Sequence, residues 1–225
     1  MKLTKYFTQQ TAWAALAIGL ALAPAGSAAT LSFVGNLDPN NSNDAYYIQF
    51  AAVTPVTVLL QSYGYGGTSA TATGMNGAGQ VINSGGFDTY LSLFDGIGPT
   101  ATFRDYNDDG LCPPAATDQG NCYDSRLAAL SLPVGVYTFV LTAAGNMSFA
   151  QNYGTGTLGD GFIGLAAPDY YDPGTGMDRT PNFALDLTYS EGQIDVIPTP
   201  EPATWLPAGT GLLLLVARRL RSARG

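Results

Sequence analysis

The stretch Val136-Tyr137-Thr138-Phe139-Val140-Leu141-Thr142-Ala143 decides the fold class of this chain. Its residues fall into two alternating sets, with Tyr137, Phe139 and Leu141 in one and Thr138, Val140 and Thr142 in the other. A period of two residues is typical of a β-strand, because successive side chains of a strand point to opposite faces. We therefore predict a strand here.

Six further short runs are rich in β-branched, aromatic or other apolar residues, and most are bounded by Gly, Pro, Asn or Asp. They lie at 46–52, 56–61, 89–94, 102–105, 126–132 and 183–189. The mature domain has no sustained apolar repeat at helical spacing, and 28 glycines disfavour long helices. The pattern predicts an all-β, antiparallel β-sandwich with jelly-roll-like connectivity, flanked by an N-terminal signal helix and a short C-terminal apolar helix.

The region between Thr30 and Thr199 is strongly acidic. It has 16 Asp and Glu residues against three basic ones (Arg104, Arg126 and Arg179), a formal charge of −13, and it contains no Lys and no His. Such a charge repels nucleic acid and attracts divalent cations, so we expect no nucleic-acid partner. The absence of His excludes catalytic and zinc sites built on that residue, whereas chemistry based on carboxylates alone stays open.

The first 29 residues have the organisation of a secretory signal peptide. Lys2 and Lys5 precede an apolar run at 14–22, and small residues at 27–29 suit signal peptidase. We expect cleavage before Thr30 and export of the mature chain. The predicted domains are a signal peptide at 1–29, a β-sandwich ectodomain at 30–195 and a C-terminal tail at 196–225.

The C-terminal tail combines three features in a fixed order. They are Pro200-Glu201-Pro202, an apolar stretch at 203–217, and a basic end that contains Arg218, Arg219, Arg221 and Arg224. The apolar stretch is shorter than the about 20 residues that cross a bilayer, so we predict a marginal transmembrane helix with its arginines in the cytoplasm. An ordinary C-terminal membrane anchor is one interpretation.

The same order of segments resembles the PEP-CTERM sorting signal. That resemblance implies that an exosortase recognises and cuts the tail after signal peptidase has processed the N-terminus. The implied localisation is a transient inner-membrane anchor, followed by the cell surface or the extracellular space. The implied setting is the extracellular polysaccharide matrix, or biofilm, of a Gram-negative bacterium.

Cys112 and Cys122 are the only cysteines of the chain. An exported protein matures in an oxidising compartment, which favours a disulfide between them. A catalytic thiol is disfavoured because the mature region has no His or Lys to activate it. The bond would close a short loop and add roughly 3 kcal/mol of stability by restricting the unfolded chain.

The segment Asp105-Tyr106-Asn107-Asp108-Asp109-Gly110 matches the opening of a calcium loop, in which oxygens at alternate positions converge on one ion. The twelfth position of an EF-hand loop would be Ala116, which has no carboxylate, so a standard EF-hand is excluded. The candidate Ca²⁺ ligands are Asp105, Asn107, Asp108, Asp109 and Asp124. The alternative is a solvated Asx-type turn without a metal.

Two long stretches, 62–80 and 145–179, are rich in Gly and small polar residues. Loops of this length are usually functional or disordered. Their tyrosines could stack on sugar rings or protein partners, or could pin the loops to the sandwich. The tyrosines in question are Tyr63, Tyr65, Tyr153, Tyr170 and Tyr171.

Four segments together resemble the bacterial pre-peptidase C-terminal (PPC) type of β-sandwich module. They are residues 87–95, 107–109, 124–127 and 133–137. The resemblance implies a non-catalytic adhesion or matrix-binding domain, of the kind that often accompanies secreted enzymes. The insertion between Cys112 and Cys122 lengthens the acidic loop relative to that pattern.

These observations predict a non-enzymatic surface or matrix protein associated with exopolysaccharide. A calcium-dependent glycan-binding module is the alternative among binding proteins. A glycoside hydrolase that uses two carboxylates as acid and base is the alternative among enzymes, although nothing in the sequence selects such a pair.

Overall fold

The structure, a computed structural model, describes residues 28–66, 75–112 and 115–198. These ranges form nine β-strands in two antiparallel sheets, which confirms the predicted all-β class. The strands are β1 (Ala29–Asn36), β2 (Ala45–Ala52), β3 (Val56–Ser62), β4 (Thr89–Asp95), β5 (Thr102–Asn107), β6 (Arg126–Leu132), β7 (Gly135–Ala143), β8 (Asn182–Ser190) and β9 (Ile194–Ile197).

All seven runs predicted from the sequence form strands. The structure adds β1 and β9, which lie at edges of the two sheets. The four-stranded sheet has the order β1-β8-β3-β6, and the five-stranded sheet has the order β5-β4-β7-β2-β9. Every pair of neighbouring strands is antiparallel.

The two sheets pack face to face around one hydrophobic core. Phe50 and Phe139 come from the five-stranded sheet and Leu60 and Leu187 from the four-stranded sheet, and all four are buried. The rings of Phe50 and Phe139 stack with their centroids 5.5 Å apart. Burial of each such side chain contributes about 1.5–3 kcal/mol. This core fixes the ends of the strands, and therefore the loops that connect them.

The outer face of the five-stranded sheet is also covered. Part of the second Gly-rich stretch forms a short helix, α1 (Phe149–Tyr153), and Ala150 of this helix packs with Phe94 and Val140 in a second buried cluster. The alternation that predicts β7 therefore separates two buried faces. Even Thr138 is fully buried, and its Oγ1 donates to the carbonyl oxygen of Gly96 at 2.8 Å.

The predicted signal peptide and sorting tail fall almost entirely outside the described residues, and both predicted terminal helices do so completely. Strand β1 begins at Ala29, one residue before the predicted cleavage point, and β9 extends to Ile197, two residues past the predicted domain boundary. In the described ranges, no helix has the length and apolar character needed to cross a membrane.

Candidate functional site

Residues 108–125 connect β5 to β6 and are called the stapled loop below; of the candidate ligands named from the sequence, Asp108, Asp109 and Asp124 lie in this connection. The disulfide between Cys112 and Cys122 closes this stapled loop, with 6.0 Å between the two Cα atoms, and confirms the predicted bond. The N–H of Gly110 donates to the carbonyl oxygen of Asp124 at 2.8 Å. The two arms of the stapled loop therefore lie side by side.

Asp105 and Asn107 belong to strand β5 and not to a loop. Asn107 Oδ1 accepts a hydrogen bond from the N–H of Arg126 at 2.6 Å, which ties the end of β5 to the start of β6. Asp105 Oδ1 accepts from the N–H of Tyr106 at 2.8 Å. Alternate residues of a strand are about 6.6 Å apart along its axis. The extended backbone therefore spreads these oxygens out instead of wrapping them around one point.

Asp124 is completely buried and acts as a hydrogen-bond acceptor. Its Oδ1 accepts from Ser62 Oγ at 3.0 Å and from the N–H of Tyr65 at 3.1 Å, and its Oδ2 accepts from the N–H of Gly66 at 3.1 Å. Burial raises the pKa of Asp124 to about 6, although these hydrogen bonds act in the opposite direction. The side chain fixes the start of the first Gly-rich stretch against the stapled loop.

Arg179 is a buried cation that joins four segments of the chain. Its Nε donates to the carbonyl oxygen of Gly86 at 2.9 Å, its Nη1 to Asp118 Oδ2 at 2.7 Å, and its Nη2 to the carbonyl oxygen of Tyr65 at 2.9 Å. The guanidinium also lies 3.9 Å from the centroid of the Tyr65 ring, within cation–π range. Sequence reasoning gave Arg179 no role, because its partners are distant along the chain.

Tyr65 is fully buried, so it pins the first Gly-rich stretch and is not available for stacking on a ligand. Its Oη donates to Asp172 Oδ2 at 2.6 Å. Burial alone would raise the pKa of Asp172, but hydrogen bonds from Tyr65, Thr175 and Gly174 lower it overall. Of the other loop tyrosines, Tyr170 is buried, Tyr63 is half-buried, and Tyr153 and Tyr171 are exposed.

Asp88 carries the strongest electrostatic perturbation near the stapled loop. Its Oδ1 is buried and has no hydrogen-bond partner in the described part of the chain. Burial raises the pKa of Asp88 to about 8, with further contributions from the negative charges of Asp108, Asp109, Asp172 and Asp124, in that order. A proton or a cation at this position would relieve the unfavourable burial of charge.

Asp88, Asp108 and Asp109 are called the acidic cluster below. Burial also raises the pKa of both Asp108 and Asp109, and for Asp108 the charge of Asp109 adds to the shift. Asp88 was missing from the candidates named from the sequence. The sequence did contain a signal, because Asp88 stands between the apolar residue Phe87 and the predicted strand at 89–94.

Within residues 28–66, 75–112 and 115–198, no three His, Cys, Asp or Glu side chains form a group that could hold a metal ion. No family model matches this chain, and no curated protein is significantly similar to it. The chemistry of the residues themselves is therefore the basis for a functional proposal.

Proposed function

We propose that this protein is exported through a PEP-CTERM/exosortase system and serves as a non-enzymatic component of the cell surface or extracellular matrix. The observation that carries the proposal is the order of Pro200-Glu201-Pro202, apolar stretch and arginine cluster at the C-terminus. The last strand, β9, ends at Ile197 on the edge of its sheet, so the signal follows the folded domain almost directly. An exosortase would therefore bind the Pro-Glu-Pro signal close to the folded β-sandwich.

The connectivity of the strands supports the jelly-roll-like connectivity predicted from the sequence. Apart from the consecutive pair β4 and β5, successive strands alternate between the two sheets. Four-stranded orders such as β1-β8-β3-β6 are those expected when two Greek keys fold onto each other. The segments that resemble a PPC module contribute to β4, the end of β5, the start of β6 and the turn into β7. That placement favours a PPC-like role in binding.

Replacement of Pro200, Glu201 and Pro202 by Ala tests the sorting proposal. We expect the variant to cross the inner membrane but to keep its tail and stay in the membrane fraction. Immunoblotting of cell fractions and mass spectrometry of the mature C-terminus measure this in a host that has an exosortase. Pro198→Ala, which removes a proline just outside the signal, is the matched control. Normal trimming and release of the triple variant would refute exosortase sorting.

A non-enzymatic role is supported by the use of the buried acids. The carboxylate oxygens of Asp124 and Asp172 accept hydrogen bonds that hold loops together, and the chain has no His. We expect no hydrolysis of glycosidic, ester or peptide substrates that follows the purified protein through successive columns. A reproducible activity lost on one Asp→Asn substitution would favour the carboxylate-based glycoside hydrolase instead.

Calcium binding is a second candidate function, favoured by the unpartnered oxygen of Asp88 beside Asp108 and Asp109. The proposed ligands are Asp88 and one neighbouring carboxylate, Asp108 or Asp109, supplemented by backbone carbonyls and water, because hard oxygen ligands suit Ca²⁺ and no three acidic side chains of the described residues form a metal-holding group. Asp105, Asn107 and Asp124 stay predictions from the sequence, and their hydrogen bonds make them weaker candidates. In this proposal Ca²⁺ neutralises the buried charge and stabilises the stapled loop, as in the calcium-dependent glycan-binding alternative.

Thermal unfolding of the full chain in CaCl₂ and in EDTA tests the calcium proposal. Binding to the native state raises its stability by about 2.7 kcal/mol at a hundredfold excess over Kd, so Tm should rise with calcium. Asp109→Ala and Asp88→Asn should remove most of that rise. Asp178→Asn, at an exposed position, should leave it unchanged. Equal Tm values in both buffers, with no heat of binding, would leave the solvated turn as the correct interpretation.

A further inference from the structure

A groove lies on the outer face of the four-stranded sheet, far along the chain from the stapled loop. Register pairs β1 with β8 there, so Asn36 faces Asn182 and Val34 faces Ala184. Residues 75–81 form a small hairpin that folds over this face, with a β-bridge between its ends. The hairpin is held to the sheet, because the N–H of Gly77 donates to Asp186 Oδ2 at 2.8 Å.

The hairpin itself is locked by one buried side chain. Asn76 Oδ1 accepts from the N–H groups of Ala78 and Gln80 at 3.1 and 2.9 Å, and Asn76 Nδ2 donates to Gln80 Oε1 at 2.6 Å. A second anchor runs from the N–H of Ala78 to Ser32 Oγ at 3.0 Å. The wall of the groove is therefore fixed before any ligand arrives, which lowers the entropy lost on binding.

The groove encloses about 450 Å³, a volume in the range of small-ligand sites. Its polar lining consists of amide side chains, namely Asn36, Gln80, Asn83 and Asn182. Val34 and Val81 add apolar surface and are 51% and 65% exposed. Among the described residues, the lining includes no Asp, Glu, Lys or Arg. The described lining of the groove is therefore neutral, although the region between Thr30 and Thr199 has a formal charge of −13.

Three of the four amide side chains make no hydrogen bond to another described residue. No hydrogen bond within the described residues involves the side chain of Asn36, Asn83 or Asn182. Each primary amide offers two N–H donors and a carbonyl acceptor, so one side chain can serve both an acceptor and a donor of the ligand. Asn36 and Asn182 face each other across neighbouring strands, at the roughly 5 Å spacing of cross-strand pairs.

We propose that this amide groove binds an uncharged oligosaccharide. Vicinal hydroxyl groups present the paired donors and acceptors that free amides satisfy, and the exposed valines suit the apolar C–H faces of a sugar ring. Anionic polysaccharides and acidic peptides are disfavoured by the negative domain, which offers them no cation in the groove. A peptide partner would need a pocket for an aromatic or aliphatic anchor, and two valines at the rim do not form one.

The glycan site is independent of both earlier proposals, since it involves neither the tail nor the acidic cluster. Isothermal titration calorimetry of the full chain in EDTA measures it with cellohexaose, maltohexaose, mannohexaose and laminarihexaose as uncharged probes. Polygalacturonate and an uncharged Gly-Ser-Gln repeat peptide serve as competitor classes. We expect at least one hexasaccharide to bind, with no measurable heat from either competitor.

Asn83→Ala and Asn182→Ala should each weaken that binding about tenfold, the effect of one or two lost hydrogen bonds. Val81→Asp should weaken it further by placing a charge at the rim. Asn152→Ala removes an exposed amide from α1 and should leave affinity unchanged. Circular dichroism and Tm confirm that the variants fold. The proposal is overturned if no hexasaccharide binds in EDTA, if the groove variants bind like wild type, or if the peptide or polygalacturonate binds preferentially.

Discussion

Arg179 and Arg104 offer a direct comparison between a buried and a surface cation. Each forms an ion pair at 2.7 Å, Arg179 with Asp118 and Arg104 with Asp95. The side chain of Arg179 is 2% exposed, whereas that of Arg104 is 30% exposed. The two pairs have the same length, so any difference in their contribution to stability arises from burial and from the remaining contacts.

Arg179→Met should reduce the free energy of unfolding by about 3–5 kcal/mol, the range found when one partner of a buried charged network is removed. The substitution leaves the carbonyl oxygens of Gly86 and Tyr65 without their donor and removes the cation from the Tyr65 ring. Asp118 keeps partial access to water, which limits the loss at that contact. Since whole domains are stable by only about 5–15 kcal/mol, such a loss is large.

Arg104→Met should lower the unfolding free energy by no more than about 1 kcal/mol, because water replaces an exposed partner and screens the pair. Arg179→Lys should fall between the two Met variants, since it keeps the charge but not the planar fork that reaches three acceptors. Urea titration of the full chain, followed by far-ultraviolet circular dichroism, provides the three values. A loss for Arg179→Met no larger than that for Arg104→Met would refute the reasoning.

Three further predictions concern the surroundings of the stapled loop. Because burial raises the pKa of Asp88 to about 8 in the native state, whereas the carboxyl of an unfolded Asp has a pKa of about 3.9, the native state binds the proton of Asp88 more tightly. In EDTA, unfolding free energy should therefore fall as the pH rises from about 4 to 8, by at most about 1.4 kcal/mol per unit. Asp88→Asn should flatten that slope in urea titrations, and an unchanged slope would contradict the assignment. The double substitution of Cys112 and Cys122 by Ser should cost about 3 kcal/mol without a change of fold, measured by urea titration against reduced wild type as the control. Gly66→Ala should destabilise by about 2 kcal/mol or more, because a Cβ there would lie 1.6 Å from the carbonyl oxygen of Ala116; a Tm equal to that of wild type would show that the stapled loop does not dock there.

The seven strands that the sequence predicts are those whose own residues are rich in apolar, aromatic or β-branched side chains. The β7 stretch alternates throughout, and the structure places its two sets of residues on opposite faces of a sheet. Strand β9 has only four residues and forms because β2 offers it a free edge. Strand β1 ends in Gly35 and Asn36, which have low strand propensity, and depends on its full-length pairing with β8. Both edge strands therefore depend on pairing with distant parts of the chain, which a local sequence pattern does not show.

The acidic segment at 105–110 has the residue spacing of a calcium-binding loop, but its first three residues belong to a strand. The spacing of Asp105, Asn107 and Asp109 suits a loop, and the predicted strand ends at Asp105. Pairing of Leu91 with Asn107 and of Leu93 with Asp105 instead extends β5 by two residues. The acidic cluster includes Asp88, because Asp88 directly precedes β4, Asp108 directly follows β5, and antiparallel pairing of these strands brings the two residues to the same end. Long-range proximity of this kind cannot be predicted from composition or spacing.

The pairing of the strands has a consequence for the order of events during synthesis. Strand β1 pairs with β8, and β2 pairs with β9, so both sheets join the first strands of the domain to the last. Neither sheet can close until nearly the whole domain has emerged from the ribosome. Contacts this distant in sequence also fold slowly, because long loops must close before any pairing stabilises them. In the export route proposed above, the chain would therefore cross the membrane unfolded, and it would depend on protection from aggregation until the last strand, β9, has emerged.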